Sequence, residues 1–237
     1  MCTAVSLIVK DHYFGRNLDL EHNSHEAVTI TPRNYPFIFR KVSEINRHYA
    51  IIGMATVSQN YPLYYDATNE YGLSMAGLNF PDNAVYQPEK KGMKNIAPFE
   101  FIPWVLCQCK NVTEALSVIN NTNPVHIPFN NQYPLSPLHW ILSDQKDSIT
   151  IEPLENGFCI HSNSVGVLTN NPPFEYHLYN LCNYMNVTSD EPNDQFSKRN
   201  ILNSYSRGMG GIGLPGDLSS ASRFIRASFT KLNSRCA

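Results

Sequence analysis

The sequence predicts an α+β protein in which antiparallel sheets and helices pack in separate layers. Three observations carry this. Strand-like runs arrive in clusters, across residues 3–79 and again across 138–169, with helical runs grouped between and after them. The regular strand–helix alternation of a doubly wound parallel sheet is missing, which fits segregated layers. The chain has 237 residues, 42% of them hydrophobic, enough for one domain over 1–237 with a well-buried core, and it shows no internal repeat.

The elements follow in order. Residues 3–9 are apolar and β-branched and read as a strand; 14–20 form the next, after the turn-like Lys10-Asp11-His12. Residues 27–31 and 49–57 are further β-rich runs. Residues 64–79 read as two strands around Asn69-Glu70-Tyr71-Gly72, with Gly72 suited to a positive φ. A helix is predicted over 98–109, where Pro98 fits a first turn and Pro103 implies either a kink or a later start. Asn111, with Glu114 three residues on, caps a second helix over 112–120. Strands return at 138–143, 148–152, 158–161 and 165–169. A helix over 174–184 follows Pro172-Pro173. Residues 190–206 are polar and read as loop. Residues 208–216 hold five glycines and turn tightly. Residues 220–232 form a last helix, with Ser219 or Ser220 as its cap.

Composition narrows the function. Lys and Arg total 18 against 20 Asp and Glu, with no basic stripe, so no nucleic-acid partner is expected. No apolar run is long enough to cross a bilayer. Residues 4–9 are apolar but short, interrupted by Ser6 and not preceded by a basic region, so they do not read as a signal peptide, and the cytoplasm is the default location. The cysteines, at 2, 107, 109, 159, 182 and 236, form no CxxC pair and match no histidine at ligand spacing, so no metal or other cofactor is expected. Those after position 2 read as ordinary thiols. The glycine-rich stretch is no phosphate loop. Asn-x-Thr triplets at Asn111, Asn120 and Asn186 matter only in a secreted protein.

Cys2 stands apart. Initiator methionine is normally trimmed ahead of a small side chain, which would leave Cys2 with a free α-amino group. Thiol and amine titrate within about a unit of each other near neutral pH, and an N-terminal amine activating its own nucleophile is an established catalytic arrangement. Taken alone, Cys2 is an isolated cysteine, Arg16 and Asp19 a surface ion pair, Asn79 and Asn170 turn residues, and Arg223 a helix-surface cation.

Taken together they form a pattern. Met1-Cys2-Thr3, Phe14-Gly15-Arg16-Asn17-Leu18-Asp19, Asn69-Glu70-Tyr71-Gly72-Leu73, Ala76-Gly77-Leu78-Asn79-Phe80, Leu168-Thr169-Asn170-Asn171-Pro172 and Leu214-Pro215-Gly216-Asp217 with Ser222-Arg223-Phe224 stand in one order along the chain. In that order the chain resembles the choloylglycine hydrolase family of bile salt hydrolases and penicillin V acylases. The resemblance implies a four-layer αββα sandwich of two antiparallel sheets, the N-terminal-nucleophile hydrolase fold. It implies Cys2 as nucleophile, Arg16 beside the thiol, Asp19 holding the α-amino group, Asn79 and Asn170 as the oxyanion hole and Arg223 as a second cation. Strict strand alternation puts Arg16 and Asp19 on opposite faces, so this arrangement requires a bend after Arg16.

The implied reaction is hydrolysis of a non-peptide amide. Asn79, where penicillin acylases of the family often carry tyrosine, resembles the bile salt branch, so the substrate is a small molecule, a glycine- or taurine-conjugated bile salt. By the same resemblance Leu18, Phe129, Tyr133 and Leu138 line its pocket, and the protein is a homotetramer. A penicillin V acylase-like amidase is the alternative. Family members also run on past the helix that carries Arg223. The resemblance therefore implies a sandwich lacking its C-terminal strands, with unpaired edges and an exposed apolar face, and leaves open a catalytically poor member.

Overall fold

The computed structural model describes residues 1–21 and 23–234; Arg235-Cys236-Ala237, the point at which an early end is read from the sequence, lie outside the described residues. In chain order the strands and helices are Thr3–Ile8 (β1), His12–Asn17 (β2), Ala27–Thr31 (β3), Ile51–Ser58 (β4), Tyr61–Asn69 (β5), Ser74–Asn79 (β6), Lys94–Ile96 (β7), Phe101–Leu106 (α1), Val112–Asn120 (α2), Thr122–Pro124 (β8), Leu138–Ser143 (β9), Ser148–Leu154 (β10), Gly157–Ser162 (β11), Val167–Leu168 (β12), Phe174–Leu181 (α3) and Ser220–Asn233 (α4).

A seven-stranded antiparallel sheet runs β11-β10-β9-β6-β5-β4-β3, and a three-stranded antiparallel sheet runs β12-β1-β2. Strand alternation makes two cores from them. Met75, Trp140 and Leu142 face α1 and α2 and pack with Phe101, Val105 and Ile119. Ala76, Leu78 and Ile141, one residue out of phase, face the smaller sheet and join Cys2, Ala4, Val167 and Leu168. On the far side of that sheet α4 lies on β1 and β12, and α3 packs on α4. The layers are therefore helix, sheet, sheet, helix, in the α+β class predicted. Three strands do not cover seven: on the face that β1 occupies farther along, β3 and β4 expose Val28, Ile30 and Ile52.

The local departures have physical causes. Pro103 marks a later start. A 3-10 turn at Pro98–Glu100 precedes α1, so Pro103 falls in the first helical turn, where its missing N–H has no partner to lose. Asn111 caps α2 as read, its side chain accepting from Glu114 N at 2.9 Å. β2 stops at Asn17 instead of residue 20. The strand expected over 165–169 shortens to β12, because Asn163 accepts from Gly166 N and donates to Val167 O, turning the chain at Gly166 with φ 64°. The helix expected over 174–184 ends at Leu181 and finishes in a 3-10 turn at Cys182–Tyr184. The sequence reading missed β7 and β8, a short polar parallel pair.

One buried asparagine joins the central hairpin to the first helical layer. Asn69, 3% exposed, donates to Leu106 O at 2.9 Å and to Cys109 O at 2.7 Å, capping the end of α1, and accepts from Tyr71 N and Leu73 N in the β5–β6 turn. Gly72 takes φ 82° in that turn. Removing the carboxamide strands two carbonyls and two amides. Asn69→Ala is therefore expected to lose about 3 kcal/mol of stability, read as a lower urea midpoint at unchanged slope.

Candidate active site

β1 aims the first residues of the chain. Cys2, Ala4 and Ser6 are buried between the sheets, while Thr3, Val5 and Leu7 are turned toward α4. Arg16 pairs with Ala4, and Thr3 with Asn17, so Arg16 shares the inward face with Cys2, one diagonal step along the neighbouring strand. Asp19 lies beyond the end of β2, outside the strand alternation. Its carboxylate sits 3.2 Å from the Met1 ammonium, which also donates to Asp19 O at 3.2 Å.

Asn170 follows β12 and meets Cys2 directly. Cys2 N–H donates to Asn170 Oδ1 at 2.8 Å, and Asn170 Nδ2 donates to Asn79 O at 2.7 Å, so one carboxamide bridges the start of β1 to the end of β6. The backbone of Asn170 is also held, with its N–H donating to Ser220 Oγ at 2.8 Å and its carbonyl accepting from His177 Nε2 at 2.9 Å. Arg223, on the first turn of α4, closes the cluster. Its guanidinium donates to Cys2 O, to Thr3 Oγ1 at 2.7 Å and to Asn170 Oδ1 at 2.9 Å. Burial lowers the pKa of Arg223, and the Cys2 and Asp19 groups nearby oppose that shift.

Arg16 is buried by a different device. The β4–β5 register slips between Met54 and Ala55, leaving Tyr65 as an extra residue in β5. The carbonyl thus freed from the ladder accepts from Arg16 Nη1 at 3.2 Å. Asp66 lies 3.9 Å from the same nitrogen; burial pushes its carboxyl up and Arg16 pulls it back. Arg16 Nε is buried with no partner. A permanently charged group with an unsatisfied donor beside the inward face of β1 is set to receive an acceptor there.

An apolar pocket opens next to this cluster. Phe129, Tyr133 and Leu138 line it together with Tyr65, Gly77 and Phe99. Leu138 is the register partner of Asn79, so the pocket and the Cys2 cluster meet at that pair. Arg40 backs the pocket, donating to Phe129 O at 3.0 Å with its guanidinium 5.5 Å from the Phe129 ring. Leu18, placed with these residues from the sequence, does not line the pocket. It follows the end of β2 at Asn17. Tyr65, Gly77, Phe99 and Arg40 were missed; two adjacent tyrosines inside a strand were the available signal.

Comparison with known proteins bears on this arrangement. Residues 2–237 match the family of linear amide C–N hydrolases, choloylglycine hydrolase family. A bile salt hydrolase/transferase of Lactiplantibacillus plantarum is 54% identical over 234 residues, covering 99% of this chain and 72% of the relative. The crystal structure of a mutant conjugated bile acid hydrolase from Clostridium perfringens superposes with TM-score 0.90 at 36% identity, over 98% of this chain and 72% of that one. A penicillin V acylase from Agrobacterium tumefaciens, TM-score 0.74 at 21% identity over 98% of this chain and 65% of that one, shares the fold.

Arg223 also donates to the nearby Leu218 O at 3.0 Å, and its other three acceptors lie in two distant parts of the chain. Arg223→Lys keeps the charge but loses the fork, and is expected to lower Tm by about 5–8 °C, from roughly 2 kcal/mol of charge-assisted hydrogen bonding. Arg226→Lys, whose parent holds only the Pro215 and Asp217 carbonyls of one loop, costs less in the same scan.

Proposed function

We propose, from the premise that this chain belongs to the choloylglycine hydrolase family of linear amide C–N hydrolases, that it cleaves the amide bond of glycine- or taurine-conjugated bile salts, with Cys2 as the nucleophile once Met1 is removed. The observation that carries the reading is the clamp on Cys2: a buried thiol residue whose nitrogen and carbonyl are held by Asn170 and Arg223, with an apolar pocket reached through the Asn79–Leu138 strand pair.

In this scheme the Cys2 sulfur attacks the amide carbonyl, forming a C–S bond, and the thiol proton passes to the α-amino group of Cys2. The carbonyl oxygen becomes an oxyanion. Asn170 Nδ2, now donating to Asn79 O, turns its donor to that oxyanion, and Asn79 supplies the second donor. The protonated amine hands its proton to the leaving nitrogen; the C–N bond breaks and glycine or taurine departs. Water attacks the thioester, the amine takes its proton, and the C–S bond breaks to release the bile acid. Trimming is required because it turns Cys2 N from a peptide nitrogen into a base. Asp19, which holds the Met1 ammonium while that residue is present, then takes up the Cys2 ammonium. Arg16 and Arg223 offset the negative charge that builds around the sulfur and the oxyanion. The steroid lies against Phe129, Tyr133 and Leu138. A cytoplasmic homotetramer completes the proposal; the described residues contain no helix long and apolar enough to cross a membrane.

Purified protein lacking Met1 by mass spectrometry is expected to release glycine or taurine from conjugated bile salts, and Cys2→Ala to release none. Asn170→Ala is expected to lower kcat by about 10²–10³. A folded, trimmed chain that cleaves no conjugated bile salt overturns the substrate; one that cleaves penicillin V instead supports the acylase alternative. Wild-type turnover by Cys2→Ala overturns the mechanism.

Leu138→Ala opens the pocket beside Asn79. It is expected to raise KM for bile salts by about tenfold, from roughly 1.4 kcal/mol of lost apolar contact, with kcat changed far less.

A further inference from the structure

Behind Asn170, away from solvent, lies a pair of titratable residues that the scheme above does not use. His139 on β9 and Glu152 on β10 are both fully buried and occupy cross-strand neighbouring positions. His139 Nε2 donates to Thr169 O at 2.8 Å, immediately before Asn170. His139 Nδ1 lies 3.2 Å from Glu152 Oε1. The same carboxylate oxygen accepts from Phe174 N at 3.0 Å, where α3 begins. Phe80 stacks on the His139 ring, with centroids 4.2 Å apart.

The Nε2 proton can be assigned from its partner. Thr169 O is a carbonyl and only accepts, so His139 Nε2 carries a proton. Glu152 accepts from Phe174 N–H and faces His161 Nε2 at 3.5 Å with its other oxygen. His161 in turn lies 3.8 Å from Glu175. Burial pushes the Glu152 carboxyl up, but its contacts with the His139 and His161 rings and the hydrogen bond from Phe174 outweigh it and hold the group well below the usual carboxylate range. Glu152 Oε1 stands against His139 Nδ1 and Thr169 O against Nε2, so both ring nitrogens face oxygen atoms.

The geometry points to His139 and Glu152 as a positioning pair for Asn170, fastening both ends of the 169–174 segment to the seven-stranded sheet and so fixing the Asn170 carboxamide against Cys2. This deepens the hydrolase reading and rests on Asn170 acting as an oxyanion donor. The segment leaves the sheet at Thr169 and re-enters regular structure at Phe174, and Glu152 anchors each end, one through His139 and one directly. Between them, Ser220 and His177 hold the Asn170 backbone. A carboxylate suits this role because one oxygen can accept from both His139 and Phe174. A glutamine can offer one oxygen to the same two groups, but it carries no charge, so both bonds lose their charge assistance and an NH2 is set against His161.

The test is a kinetic cycle on the trimmed enzyme with a conjugated bile salt, beside amide hydrogen exchange read by mass spectrometry. Glu152→Gln is expected to lower kcat about tenfold, part of the hundredfold that a displacement of about 1 Å can cost, with KM unchanged because the donor acts on the transition state. In an Asn170→Ala background the same substitution is expected to cost nothing further in kcat. Exchange across 169–174 is expected to rise in Glu152→Gln. Asn69→Ala, destabilised far from this segment, is expected to show neither the kcat loss nor the local exchange. His139→Gln is the second variant should Glu152→Gln not fold, with the same expectations. An unchanged kcat in a folded variant, a penalty that persists without Asn170, or unaltered exchange at 169–174 overturns the positioning role. Should the wild-type enzyme cleave no conjugated bile salt, the hydrolase reading fails, and the exchange measurement still decides whether Glu152 fastens the segment.

Discussion

The arrangement around Cys2 depends on one guanidinium. Arg223 stands near the far end of the sequence, yet its fork reaches the second and third residues and the segment after β12. No local propensity can bring those pieces together. The outer helical layer has to dock on the smaller sheet first, through Phe224 and Ile225 in the core that Cys2 and Ala4 share. Apolar burial then decides where the cation lies, and the cation decides the orientation of the groups around Cys2. The cost is a charge partly withdrawn from water, offset by acceptors that a planar fork meets without further loss of side-chain freedom.

The inward face of β1 makes a second such bargain. Arg16 is taken between the sheets with Asp66 at some distance and one nitrogen unpaired, an expensive arrangement for stability alone. The bulge at Tyr65 makes it tolerable, because an irregular ladder frees a carbonyl that a regular one would consume. The same irregularity turns Tyr65 to the pocket wall. A single inserted residue thus serves both the charged and the apolar side of the site, which joins the energetics of the core to the shape of the binding surface.

Much of this was legible in the sequence. Runs of β-branched and apolar residues between turn signals located the long strands, including β6 and β9, which face a core on each side. The caps at Asn111 and Ser219 follow from side-chain chemistry that acts within a single turn. Cys2, Arg16, Asp19, Asn79, Asn170 and Arg223 could be assembled only through the order of their motifs, since each alone has an ordinary explanation. What stayed hidden depends on contacts between distant segments. The Tyr65 bulge is a matter of register between two strands, and neither strand announces it. Leu18 was grouped with the pocket by the family resemblance, but it lies past the end of β2 and outside the pocket lining. His139 and Glu152 sit one each in apolar strands and acquire a meaning only when β9 and β10 pair.

The ion pair between Met1 and Asp19 has a consequence for how such an enzyme comes into being. While any residue is peptide-bonded to Cys2, the cysteine nitrogen is a planar amide with its lone pair delocalised, and it cannot take a proton from the thiol. On the hydrolase reading, the newly made chain is then a latent form, folded around its nucleophile but lacking a base. On the same reading, cleavage of the bond ahead of Cys2 supplies that base. Any tag fused ahead of Cys2 would preserve that latency, and a preparation can be well folded yet silent for want of a single bond cleavage.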